Sequence, residues 1–74
     1  MGPAVSLTAR ETDVLRGLVH GAPNKAIAAE LGVSEATVER HLTNLYRKLG
    51  ASGRADAAVR ALTRGLVHVD GSTP

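Results

Sequence analysis

With 74 residues, 43% of them apolar, the chain makes one small domain, near the size below which a core needs covalent staples. It holds no cysteine, which removes disulfides and thiolate metal sites, and Tyr46 is its only Phe, Trp or Tyr, which argues against reading single strands by base stacking. The net charge of +2 suits a polyanionic partner without being strong. No apolar run reaches membrane-spanning length, and the first residues lack the basic and apolar regions of a secretory signal. A soluble cytoplasmic protein with no membrane partner is expected.

Residues 1–5 read as an unstructured tail. Thr8-Ala9-Arg10-Glu11 then has the form of a capping box, with Thr8 accepting from the Glu11 N–H, the Glu11 carboxylate reaching back, and Leu7 as a staple. A first helix follows over about 9–20, its apolar stripe made by Val14, Leu15, Leu18 and Val19, with Gly21 as the stop. A second helix spans about 24–31. Pro23 or Asn24 starts it, and Ile27, Ala28 and Leu31 give its stripe.

Leu31-Gly32-Val33-Ser34 supplies a stop, a buried spacer and a start: Gly32 can turn left-handed to end one helix and Ser34 can cap the next. The third helix, about 35–49, carries Val38, Leu42, Leu45 and Leu49 at i, i+4, i+7 and i+11. At about 100° per residue these lie within about 40° of one another, while Ala36, Arg40, Thr43 and Arg47 gather near the opposite pole. Two helices meeting over such a tight turn form a helix-turn-helix, and an outer pole that is small, basic, small and basic fits a helix pressed into a major groove. A merely solvated surface is the competing reading of that pole taken alone; the adjoining turn favours DNA. Arg40, Arg47, Lys48 and Arg54 face only Glu35 and Glu39 in this part of the chain.

After a turn at Ala51-Ser52-Gly53, a fourth helix covers about 54–65. Ala55, Ala58, Val59, Leu62 and Leu66 are read as its buried face, and Ala57, Arg60, Ala61 and Arg64 as its outer one. Small residues there permit close approach by another helix, so this outer face is a candidate for self-association; an alanine surface kept only for helix propensity is the equal alternative. The domain is placed at 6–66, with 67–74 as a flexible tail. The fold class is all-α, a compact four-helix domain of winged-helix-like type around a central helix-turn-helix.

Taken together, Leu7-Thr8-Ala9-Arg10-Glu11, Asn24-Lys25-Ala26-Ile27-Ala28, Leu31-Gly32-Val33-Ser34, Thr37-Val38, His41, Lys48-Leu49-Gly50 and Arg54 resemble the LuxR/GerE-type (NarL/FixJ-like) DNA-binding domain of bacterial transcription regulators. The resemblance implies a third helix in the major groove of double-stranded DNA, a second helix across the backbone, and a homodimer formed through the fourth. Carried over by position, it places Lys25, Ser34, Thr37 and Lys48 near phosphates, where the outward Arg47 joins them, and Ala36, Val38, Glu39, Arg40 and Thr43 near base edges. Glu39 departs from the family pattern, which usually has Lys or Arg after Thr-Val. It reads cytosine, orients Arg40 or weakens binding, and orientation of Arg40 is the preferred reading. RNA polymerase is a further candidate partner; no cofactor and no small-molecule ligand are expected in this domain. Family members normally carry a sensor ahead of this domain, so the chain is expected to be an excised output domain or a stand-alone regulator.

An enzyme is a poor alternative. Ser34, Thr37, Glu39 and His41 include catalytic residue types, but His41 has no partner at useful spacing, and His20, His41 and His68 are too scattered for zinc. Two further alternatives are a helix-turn-helix used for protein interaction and the promoter-reading region of a sigma factor. The Lys48-Leu49-Gly50 ending and the fourth helix argue against the last.

Overall fold

The computed structural model describes residues 6–67. Four helices follow one another, α1 Ala9–Val19, α2 Asn24–Leu31, α3 Glu35–Leu49 and α4 Arg54–Thr63, with no strand among the described residues. The expected ends at 20 and 65 move in by one and two residues. In each case the last turn closes through a longer backbone bond, from the Ala22 N–H to the Gly17 carbonyl (3.0 Å) and from the Leu66 N–H to the Ala61 carbonyl (2.9 Å), which takes the chain off the helical path. The tail assigned to 1–5, and all of that assigned to 67–74 except Val67, lie outside the described residues. Val67, expected in the C-terminal tail, packs into the core.

Each start and stop has a local cause. Thr8 and Glu11 form the capping box in both directions, with the Glu11 N–H donating to Thr8 Oγ1 (3.1 Å) and the Thr8 N–H to Glu11 Oε1 (3.0 Å). Gly32 sits at φ 71°, a left-handed conformation that costs glycine little, and lets the Val33 N–H return to the Ala28 carbonyl (3.0 Å). Ser34 Oγ then accepts from the Thr37 N–H (3.1 Å), which opens α3. Pro23 is the cap position of α2, and no side chain caps that helix. Asn24 is occupied otherwise: its Oδ1 accepts from Arg54 Nη1 (2.9 Å), while Arg54 Nη2 donates to the Ala22 carbonyl, so the first residue of α4 clasps the α1–α2 connection.

The long helix α3 packs against all three others and supplies Val38, Leu42, Leu45 and Leu49 to the core, where they meet Val14, Leu15 and Leu18 of α1 and Ile27 and Ala28 of α2. The α1–α2 contact is tight at Gly17. A Cβ built there would lie 2.8 Å from Ile27 Cγ1, closer than real side chains approach, so the missing methyl sets how near the two helices come.

The fourth helix is turned the other way from the sequence expectation. Ala57 and Ala61, placed outside, are fully buried, whereas Val59 and Leu62, placed inside, are 60% and 43% exposed. The physical reason is crowding: α4 lies close against α1 and α3, and one-carbon side chains at i and i+4 fit that gap where Val and Leu do not. The close approach read from the alanines is real, but its partner is the rest of this chain.

Candidate nucleic-acid interface

The outer pole of α3 stands as the spacing required. Ala36, Arg40, Thr43 and Arg47 are all exposed along one side of a helix that the core holds by its opposite stripe. Thr43 Oγ1 donates back to the Glu39 carbonyl (3.1 Å), which uses its proton within the helix and fixes the side chain. Val38 does not belong to this face: it is completely buried and cannot touch a base edge, a correction that its own place on the apolar stripe already required. Of the residues assigned to phosphate, Lys25 lies exposed in the first turn of the uncapped α2, and Ser34 is exposed at the start of α3 with its hydroxyl 3.0 Å from that of the half-buried Thr37.

Lys48 is committed elsewhere. Its Nζ lies 2.7 Å from Glu11 Oε1 and 3.0 Å from the Ser6 carbonyl, so it joins the last turn of α3 to the entry of α1. Glu11 is 4% exposed, and the Lys48 ammonium, aided by the Thr8 N–H, holds its carboxyl below the ordinary value of 4.5 despite the opposing effect of burial. Two of the three Lys48 donors are thus used within the fold, which argues against its assignment to phosphate.

The remaining charges sort by place. On α1, Arg10 and Arg16 flank Asp13 at 3.7 and 3.5 Å, and on α4 Arg60 pairs with Asp56 at 3.0 Å. Asp56 also accepts from the Ser52 N–H (2.9 Å), the larger cause of its lowered pKa. By contrast Lys25, Arg40 and Arg47 make no ion pair among the described residues, and neither do Glu35 and Glu39. Glu39 does not orient Arg40: adjacent positions on a helix point about 100° apart and do not face each other.

On α4, Arg60 and Arg64 remain outside the core as expected, Arg60 half-buried and Arg64 exposed, but the apolar part of the surface is Val59 and Leu62. Their i, i+3 spacing was visible in the sequence. Sequence pattern alone favours this larger pair over the alanine row for the core. Among the described residues no group of His, Asp or Glu is placed to hold a metal, and His41 is half-buried on the flank of α3.

A short helix, a tight glycine turn and a core-anchored second helix with a basic outer pole define a helix-turn-helix domain. The family profile "Bacterial regulatory proteins, luxR family" (GerE) matches residues 5–61, and the chain belongs to this family. It is 46% identical over 63 residues to the spore germination protein GerE of Bacillus subtilis, which covers 85% of both chains. The solved GerE structure superposes with a TM-score of 0.82 at 37% identity, over 92% of this chain and all of that one. The transcriptional regulatory protein YdfI of the same organism is 45% identical over 64 residues, 86% of this chain and 30% of YdfI. The chain thus spans less than a third of that relative's length. A structure of the Vibrio cholerae VqmA dimer, described as a LuxR-type receptor, aligns with a TM-score of 0.83 and 38% identity, over 85% of this chain and 28% of that one. Among the described residues no helix is long and apolar enough to cross a membrane.

Proposed function

We propose that the chain binds double-stranded DNA in a sequence-specific manner as the output domain of a transcription regulator, with α3 in the major groove and α2 across the backbone. The observation that carries this reading is the distribution of unpaired cations. Among the described residues Lys25, Arg40 and Arg47 of the helix-turn-helix have no carboxylate partner, while Arg10, Arg16, Lys48 and Arg60 are paired within the fold; of the two other cations without a carboxylate, Arg54 is held by Asn24 and the Ala22 carbonyl, and Arg64 lies on α4. Membership of a regulator family, and the target DNA named for VqmA, support it. In this reading Arg40 donates both guanidinium arms to a guanine edge, Ala36 and Thr43 keep the backbone close to the bases, and Arg47 and Lys25 meet phosphates. The open first turn of α2 adds N–H groups suited to a phosphate oxygen. Ser34 and Thr37, whose hydroxyls face each other at the entry of α3, contribute neutral phosphate contacts.

Two copies on a symmetric site would pair through α4, by Val59 and Leu62 with Arg64 at the edge, instead of through Ala57 and Ala61. Fluorescence anisotropy with family-type operator duplexes at several salt concentrations tests the reading. Affinity should fall with a log–log slope of roughly 0.9 per phosphate neutralised, and Arg40→Ala should cost about 1–3 kcal/mol and relax preference at one base pair. Salt-insensitive or absent binding by a folded domain would favour a protein-interaction module.

A further inference from the structure

We infer that Glu39 is a specificity-determining acceptor that reads the exocyclic amino group of a cytosine in the major groove. The inference rests on the DNA-binding reading above and names what one position of that interface selects. Glu39 is exposed on α3 and has no ion pair among the described residues. Its neighbours at three and four residues on the helix surface are Glu35, Ala36, Leu42 and Thr43, none of them a cation, so the fold supplies nothing to neutralise it. Arg40 likewise has Ala36, Thr37, Thr43 and Asn44 as such neighbours, with no acid among them. A free acceptor and a free donor therefore stand side by side, about 100° apart on the helix.

The outer-pole residues nearest Glu39, Ala36 and Thr43, are short, and the Thr43 hydroxyl already donates to the Glu39 backbone carbonyl instead of to its carboxylate. The carboxylate is thus unscreened on the side that faces the bases. Its choice among them follows from their edges. Guanine offers O6 and N7 and thymine offers O4, all acceptors that repel a carboxylate, and adenine sets its N6 donor beside the N7 acceptor. Cytosine presents only its N4 donor there. A carboxylate set among phosphates loses affinity on every sequence except one that returns a hydrogen bond. Glu39 therefore narrows the set of sites more than it tightens binding.

Selection of binding sites from a randomised duplex pool, followed by anisotropy on single-base variants, tests this with the wild-type chain, Glu39→Gln and Glu39→Ala. The wild type should require cytosine at one position of each half-site, by roughly tenfold over other bases. Glu39→Gln should move that position toward adenine, whose N6 and N7 an amide can meet together, and Glu39→Ala should leave it indifferent, with all other positions unchanged. If the variants bind every duplex more tightly by one common factor and select the same sites, Glu39 only repels and the inference is overturned. A wild-type chain that selects no sequence would instead overturn the DNA-binding reading itself.

Discussion

A single oxygen, Oε1 of Glu11, accepts from both the Thr8 N–H and the Lys48 ammonium, so the residue that caps α1 also anchors the end of α3. Removing the lysine leaves a buried carboxylate short of one charged donor. Because the Lys48 side chain is 36% exposed, Lys48→Ala should lower stability by about 1–2 kcal/mol, well below the loss of a fully buried pair, read as a shift in urea midpoint. The same variant, held under folding conditions, should keep the salt slope of DNA binding. A slope smaller by roughly 0.9 would return Lys48 to the phosphate contacts. The capping box was legible from Thr8 and Glu11 alone because it is local. Its third member was not, since a contact between residues 11 and 48 leaves no periodic trace in sequence.

For the elements, sequence served best where one stripe dominated. On α3 the four large aliphatic residues leave no other solution, and the outer pole follows by subtraction. On α4 two stripes compete, Ala57–Ala61 and Val59–Leu62, and hydropathy favours the larger pair. Only the distance to α1 and α3 decides for the smaller. This difference predicts opposite phenotypes. Val59→Asp should leave the monomer's urea midpoint nearly unchanged, since that position is 60% exposed, and weaken dimerisation on a two-half-site duplex. Ala57→Leu or Ala61→Leu should overpack the core and cost about 1–3 kcal/mol. Sedimentation with DNA and urea titration distinguish the two; a monomer destabilised by Val59→Asp would mean that α4 is seated otherwise. Gly17 carries no sequence signal of its own, because a glycine inside a helical pattern shows only that a side chain is missing, not what would collide with it.

Across the whole molecule, two carboxyls held below their ordinary values tie stability to acid. Glu11 and Asp56 keep their charge in the fold more firmly than in the unfolded chain, through Lys48 in the first case and the Ser52 N–H with Arg60 in the second. Their stabilisation is complete above the ordinary values of 4.5 and 3.8 and is lost as pH falls through the lowered folded ones. The urea midpoint should therefore stay level from neutrality to about pH 5 and decline below it, and Glu11→Gln should flatten the decline. An unchanged acid limb in that variant would show that Glu11 does not set it. The bond from Lys48 to the Ser6 carbonyl spans 42 positions of sequence. It fixes the chain at residue 6, just ahead of α1, to the last turn of α3. The entry of α1 and the end of the helix proposed to read DNA therefore share one ammonium, so the phase of α3 against α1 is set at a single side chain.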